Sequence, residues 1–316
     1  MNRRNFLAVT AAVGFGSLTE LQASEKKLRV PSGAVTLYYE IRVAKPEVKA
    51  LHNLLKTEAA RLKEKGLLSF SMKQMVGDST MVKNYPENYK GILASSYEDG
   101  ANEGTLPYFY ALFFRFESYA GMQASNVQAW FRDKAGSHFH AYKPTPEGAV
   151  KLPLKMDYYE GVFQTVIAGD MHRIYKSEAE IKTFLKNAAE KKMPDLITVE
   201  NHVYIKESSL TMFESKVSQL LETAQTTYQP QERKENGLPG SADNRYYKRA
   251  VTTEILRNAF AKGDQRDYIM HGTWESVWDH ENSHLDPRFK MAAGPVGSFV
   301  ISGPVEPFYK TSLFVN

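Results

Sequence analysis

Along most of the chain, apolar positions either alternate with polar ones or recur every three to four residues. The changes of period mark the elements. Val35 to Val43 is rich in β-branched and aromatic residues and predicts a strand. Pro46 opens a helix in its first turn. Val48, Leu51, Leu54, Leu55, Ala59 and Leu62 give that helix one apolar stripe, and Gly66 stops it after Lys63 and Lys65. Leu67 to Met75 and Tyr108 to Glu117 predict two further strands. Between them, Gly77 to Pro107 is rich in Gly, Asn, Ser and Asp and reads as a long loop. A helix from about Ala120 to Lys134 ends at Gly136-Ser137-His138-Phe139-His140, and Met156 to Ile167 supplies a fourth strand. The order strand, helix, strand, strand, helix, strand is the split βαβ, or ferredoxin-like, arrangement.

The same order returns. Ile197 to Lys206 predicts a strand. A helix capped by Ser208 or Ser209 follows, with Met212, Phe213, Val217, Leu220, Leu221 and Ala224 on one face. Gln229 to Asn244 is a Pro-, Gly- and charge-rich loop. Tyr246 to Leu256 reads as strand, with a helical turn at Glu254 to Ala261 as the competing reading. Asp267 to Glu275 is a strand, Val277 to Ala293 a helix stopped by Gly294, Pro295 and Gly297, and Val305 to Phe314 the last strand. An extra helix, Ser177 to Lys191, starts from a Ser-x-x-Glu capping box.

The expected class is therefore α+β: two ferredoxin-like βαββαβ modules with antiparallel sheets, at 33–176 and 195–316, joined by a connecting helix at 177–194. Each sheet has one face covered by its own helices. The bare faces can pack on each other as an intrachain α/β barrel around a sheltered void. The competing arrangement, separate modules that each pair with a second copy, leaves a homo-oligomer open.

Residues 1–23 follow a different pattern. Met1-Asn2-Arg3-Arg4-Asn5-Phe6-Leu7 precedes a short apolar run from Ala8 to Leu18, with a small residue at Ala23. This is the layout of a signal peptide, and the paired arginines resemble a twin-arginine signal. The expectation is a periplasmic protein handed to the twin-arginine export machinery and cleaved after Ala23. The apolar run is too short to span a bilayer, so no stable membrane span is expected after cleavage.

Composition narrows the chemistry. The formal charge of +4, spread along the chain, does not point to nucleic acid. The absence of cysteine excludes thiolate metal sites, iron–sulfur clusters, cysteine nucleophiles and disulfides. There is no Gly-x-Gly-x-x-Gly, no phosphate loop and no Gly-x-Ser-x-Gly.

Tyr268-Ile269-Met270-His271-Gly272-Thr273-Trp274-Glu275-Ser276 is followed by His280, His284, Arg288-Phe289, Pro295 and Gly303-Pro304-Val305. This cadence resembles the antibiotic biosynthesis monooxygenase group of the dimeric α/β barrel superfamily. Phe114-Arg115-Phe116-Glu117-Ser118 and Ser137-His138-Phe139 echo it in the first half. The superfamily includes cofactor-free oxygenases, haem proteins and mononuclear iron enzymes, so the resemblance implies a fold more firmly than a reaction. Together with the signal pattern, it gives the expectation of an exported protein that binds, and as an enzyme oxidises, a small aromatic or hydrophobic molecule. The competing class is a non-catalytic periplasmic ligand-binding or assembly protein.

Three sets of residues carry the candidate chemistry. His271, Thr273 and Glu275 alternate onto one strand face, with Met270, Gly272 and Trp274 on the other. His280 and His284, four apart, share a helix face. His271, Glu275, His280 and His284 are thus a candidate site for iron or copper, with Asp279 and Glu281 as adjacent alternative acids. The competing expectation is a local salt bridge at Glu275 and a polar helix face at the two imidazoles. For non-covalent haem, the axial candidates are His138, His140, His172 and His202. For oxygenation without a cofactor, Trp274 and Arg115 are the leading candidates, with Tyr39, Tyr110 and Arg42 as further contributors.

Overall fold

The computed structural model describes residues 31–78, 107–138, 142–146, 148–151, 155–170, 173–187, 195–225, 249–284 and 287–316. The signal-peptide expectation, most of the loop expected at 77–107 and the loop expected at 229–244 lie outside them. The first half contains β1 (Val35–Val43), α1 (Val48–Leu62), β2 (Leu67–Asp78), β3 (Tyr108–Phe116), α2 (Tyr119–Ala124), α3 (Val127–Asp133), the hairpin β4 (Tyr142–Thr145) and β5 (Gly148–Lys151), and β6 (Tyr158–Asp170). A short β7 (Ile174–Tyr175) and α4 (Glu178–Lys186) connect it to the second half. That half contains β8 (Ile197–Lys206), α5 (Leu210–Ala224), β9 (Thr252–Asn258), β10 (Gln265–Trp274), α6 (Val277–Ser283), α7 (Pro287–Gly297), β11 (Val300–Val305) and β12 (Pro307–Val315). Among the described residues, no helix is long and apolar enough to cross a membrane.

Eight strands pair in the order β1-β3-β2-β12-β8-β10-β9-β6, and β6 pairs back onto β1. All these pairings are antiparallel, and the ring is closed. Closure removes the unpaired strand edges that would invite association.

Alternation along each strand then divides the side chains between two places. Outward residues meet helices. In the first half these are Leu37, Tyr39, Ile41, Phe70, Leu112 and Phe114, which pack with Leu51, Leu55 and Ala59 of α1 and Phe131 of α3. The apolar stripe of α1 is thus buried as its spacing requires, and the chain leaves it at Gly66 with φ +84°, a left-handed turn that glycine adopts without strain. In the second half, Phe213, Val217 and Leu221 of α5 cover Val203, Ile205 and Tyr268.

Inward residues fill the barrel. Tyr38, Ala111, Phe113, Phe163, Leu256, Ile269 and Tyr309 form an apolar cluster there. This corrects the expected void: an eight-stranded barrel is just wide enough for side chains to occupy its interior, and here bulky rings do so. The capping box of the connecting helix is present, with Ser177 Oγ and the Glu180 carboxylate bonded reciprocally. The expected single helices at 120–134 and 277–293 are each two short ones. The helical turn considered at 254–261 does not form, because Thr252–Asn258 pairs on both sides.

Candidate functional site

The barrel interior also holds charge. His271 pairs across the sheet with Glu200 on β8 and Glu254 on β9, so the three side chains share the inner face. Lys73 Nζ donates to Thr198 Oγ1 at 2.8 Å and lies 3.0 Å from His271 Nε2. A lysine ammonium is only a donor, so Nε2 accepts and the proton sits on Nδ1. Nδ1 faces Glu254 Oε2 at 3.9 Å, beyond hydrogen-bond reach. Burial, with Lys73 and Arg115 nearby, holds the His271 imidazole well below its ordinary value. Arg115 forks onto Glu254 with two bonds of 2.7 Å and also donates to Thr36. Tyr38 donates to Glu200 at 2.8 Å, and His202 approaches Glu200 and Glu40.

One pH effect follows. Folding favours neutral His271, so stability is complete above the free imidazole value near 6.5 and falls as the pH drops below it. Urea unfolding midpoints are expected to decline as the pH falls below about 6.5. His271→Asn keeps an acceptor for Lys73 and removes the titrating group, so its decline should be shallower; parallel pH profiles would contradict this assignment.

Outside the barrel, the two halves differ. In the first half aromatic rings pack the sheet–helix layer. Tyr39 stacks on Phe131 at 3.8 Å, Phe70 meets Phe114 at 4.4 Å, and Tyr158 packs edge-on against Phe131. In the second half the corresponding layer leaves a cavity of about 70 Å³. Val199, Met270, Gly272 and Trp274 form its floor; Val217, Leu220 and Leu221 of α5 form one wall, with His280 and Phe289 opposite. Gly272 matters here because the indole lies across it: a Cβ at that position would stand 3.0 Å from Trp274 Nε1. The lining is mostly apolar, with Asn201, Thr253 and His280 as polar exceptions; His271, whose side chain turns into the barrel, also borders it.

A polar cluster flanks this cavity. Ser276 caps α6 by accepting from the Asp279 backbone N–H, and this fixes the start of the helix that carries His280. His280 Nδ1 lies 3.0 Å from Glu281 Oε1, and Nε2 lies 3.2 Å from Glu306 Oε1. Glu306 sits between β11 and β12 and accepts from Asn201 Nδ2 at 3.0 Å. The His280 ring contacts Trp274 at 5.3 Å and His284 at 4.6 Å, and His284 leans on Phe289 at 5.0 Å. Burial disfavours the His280 cation, but its hydrogen bonds to Glu281 and Glu306 outweigh that and push it up to about 9. Burial and the His280 charge hold His284 below its ordinary value. Burial raises Glu306, and the pairing with His280 more than reverses this.

The four residues singled out as metal ligands therefore do not converge. His271 points into the barrel, on the face opposite Trp274. Glu275 lies past the end of β10 and is exposed. His280 and His284 sit on the helix side, where Glu306 supplies the carboxylate. Among the haem candidates, His138 is bound to Glu47 at 2.9 Å and His202 lies on the inner face, while His140 and His172 fall outside the described residues. Of the two catalytic candidates, Trp274 lines the cavity and Arg115 is locked inside the barrel. Tyr39 donates to Glu160 at 2.7 Å, Tyr110 donates to Gln74 at 3.3 Å, and Arg42 pairs with Asp157 at 3.2 Å, all away from the cavity. No pattern in the sequence marks Asn201 or Glu306. Glu306 follows Gly303-Pro304-Val305 directly, but a residue between strands has no periodicity to place its side chain.

Residues 34–121 match the ABM-like domain, and residues 166–312 match the CT0912-like, C-terminal domain. Among solved structures, a candidate monooxygenase from Fusobacterium nucleatum subsp. nucleatum is 9% identical, covering 90% of this chain and 94% of that one with a TM-score of 0.49. One from Lactobacillus acidophilus is 8% identical, covering 90% and 96% with a TM-score of 0.48. An anthrone oxidase-like protein is 11% identical, covering 89% and 92% with a TM-score of 0.43. At such low identity these likenesses say nothing of chemistry. No curated protein matches the chain.

Proposed function

We propose that this chain, which carries an ABM-like domain at residues 34–121, binds a small aromatic or hydrophobic molecule in the second-half cavity and oxidises it. The observation that carries the reading is the asymmetry of the two halves. Aromatic packing fills one sheet–helix layer, and the other keeps an apolar cavity with Asn201 and His280 on its wall. A concave apolar site with few polar groups is the usual form of a small-molecule site. As it stands, the cavity is smaller than the roughly 150 Å³ that holds a benzene ring. Entry of a ring requires Leu220 or Phe289, both half-buried, to swing outward. The substrate itself would supply electrons to dioxygen, and the polar wall would stabilise its deprotonated form.

We read the barrel as two ferredoxin-like modules, at 33–176 and 195–316, on either side of the connecting helix. The matching strand orders β2-β3-β1-β6 and β9-β10-β8-β12 support this. The Arg3-Arg4 pattern supports export to the periplasm, with cleavage after Ala23.

Titration with 1-naphthol, followed by fluorescence quenching and oxygen uptake, tests the function. Saturable binding is expected in the parent protein. In Leu220→Trp, which fills the cavity, affinity should fall by roughly tenfold or more, the loss of about 1.4 kcal/mol. Equal affinity in the filled variant would overturn the assignment of the cavity. Binding without oxygen uptake would favour a carrier over an oxygenase.

A further inference from the structure

The cluster beside the cavity has the composition and support of a metal centre. We propose that His280, His284 and Glu306 bind one divalent transition-metal ion. Two imidazoles and one carboxylate are the donor set that suits iron(II), cobalt(II) and zinc; magnesium and calcium prefer all-oxygen shells. One ligand atom from each residue lies within 4.8 Å of the other two. Donors around an ion at about 2.1 Å stand roughly 3.0–3.4 Å apart, so the site must contract. His280 and Glu306 already meet at 3.2 Å. His284, a residue past the end of α6 and half-buried, is the ligand that moves.

The neighbouring groups support this assignment. A metal-bound histidine commonly directs its second nitrogen to a carboxylate, which fixes the ring. Glu281 Oε1 occupies that position, 3.0 Å from His280 Nδ1. Asn201 holds the Glu306 carboxylate from the sheet at 3.0 Å. Three protein ligands leave coordination positions open, and Trp274 and Phe289 place the imidazoles beside the cavity. The ion would thus stand where a small molecule could approach it. The site does not depend on the cavity taking an organic ligand.

Chelator-treated protein titrated with cobalt(II), by calorimetry and by visible absorption, tests the proposal with no organic ligand present. The parent protein should bind one equivalent and develop the absorption of a low-coordinate nitrogen–oxygen site. His284→Ala and Glu306→Gln, each checked for folding by circular dichroism, should bind roughly tenfold or more weakly, and Asn201→Ala about tenfold more weakly. His271→Asn, on the opposite sheet face, should bind as the parent does. No binding by the parent protein, or unchanged binding in folded His284→Ala and Glu306→Gln, would overturn the site.

Discussion

Arg115→Met is expected to destabilise the protein by about 3–5 kcal/mol, the cost of leaving a buried charge without its partner. Arg115 is 8% exposed and Glu254 only 1%, so solvent screens neither charge. Their two bonds at 2.7 Å join β3 of the first half to β9 of the second, and Thr36 and Thr165 complete the contacts. Without the guanidinium, the Glu254 carboxylate keeps only the Thr165 hydroxyl and the distant His271 ring. The pair itself need not be stabilising, because burying two charges forfeits their hydration. The double variant Arg115→Met/Glu254→Leu is therefore expected to recover most of the loss. Urea unfolding of the two single variants and the double variant gives the coupling directly. A cost below about 1 kcal/mol for Arg115→Met would mean that the pair is wetter and weaker than its burial indicates.

Trp274→Ala should cost a similar amount, about 3–5 kcal/mol, by removing a large buried ring and leaving its space unfilled. It also removes the floor of the cavity, so 1-naphthol affinity should fall with stability. Trp274→Phe separates the two effects. It keeps a ring against His280 and should lose much less stability while still altering probe affinity. Unchanged affinity in both variants would place the ligand elsewhere.

Much of the fold is legible in the sequence because alternation and helical spacing are strong signals over long elements. Val35 to Val43, the stripe on α1 and the face of α5 all form as their patterns require. Strand alternation also separates His271 from Trp274 correctly. What alternation cannot give is which face looks into the barrel and which looks at helices. That depends on pairings such as Thr36 with Phe163 and Phe308 with Val199, between residues more than a hundred positions apart. The four expected metal ligands do not converge for this reason: His271 and His280 are near in sequence but lie on opposite sides of one sheet. Nor does alternation show that rings fill the barrel interior. Tyr38, Phe113 and Phe163 read equally well as core or as ligand lining until the strands close around them. Arg115 looked available for chemistry because Glu254, its partner, lies in the other half of the chain.

The position of a bound aromatic probe decides whether the second-half cleft is the working site. Crystals grown with saturating 1-naphthol are expected to show the ring between Trp274, Leu220 and Phe289, with its oxygen toward Asn201 or His280. A ring lodged among Tyr38, Phe113 and Phe163 inside the barrel, or a cleft that stays closed at saturation, would contradict the account.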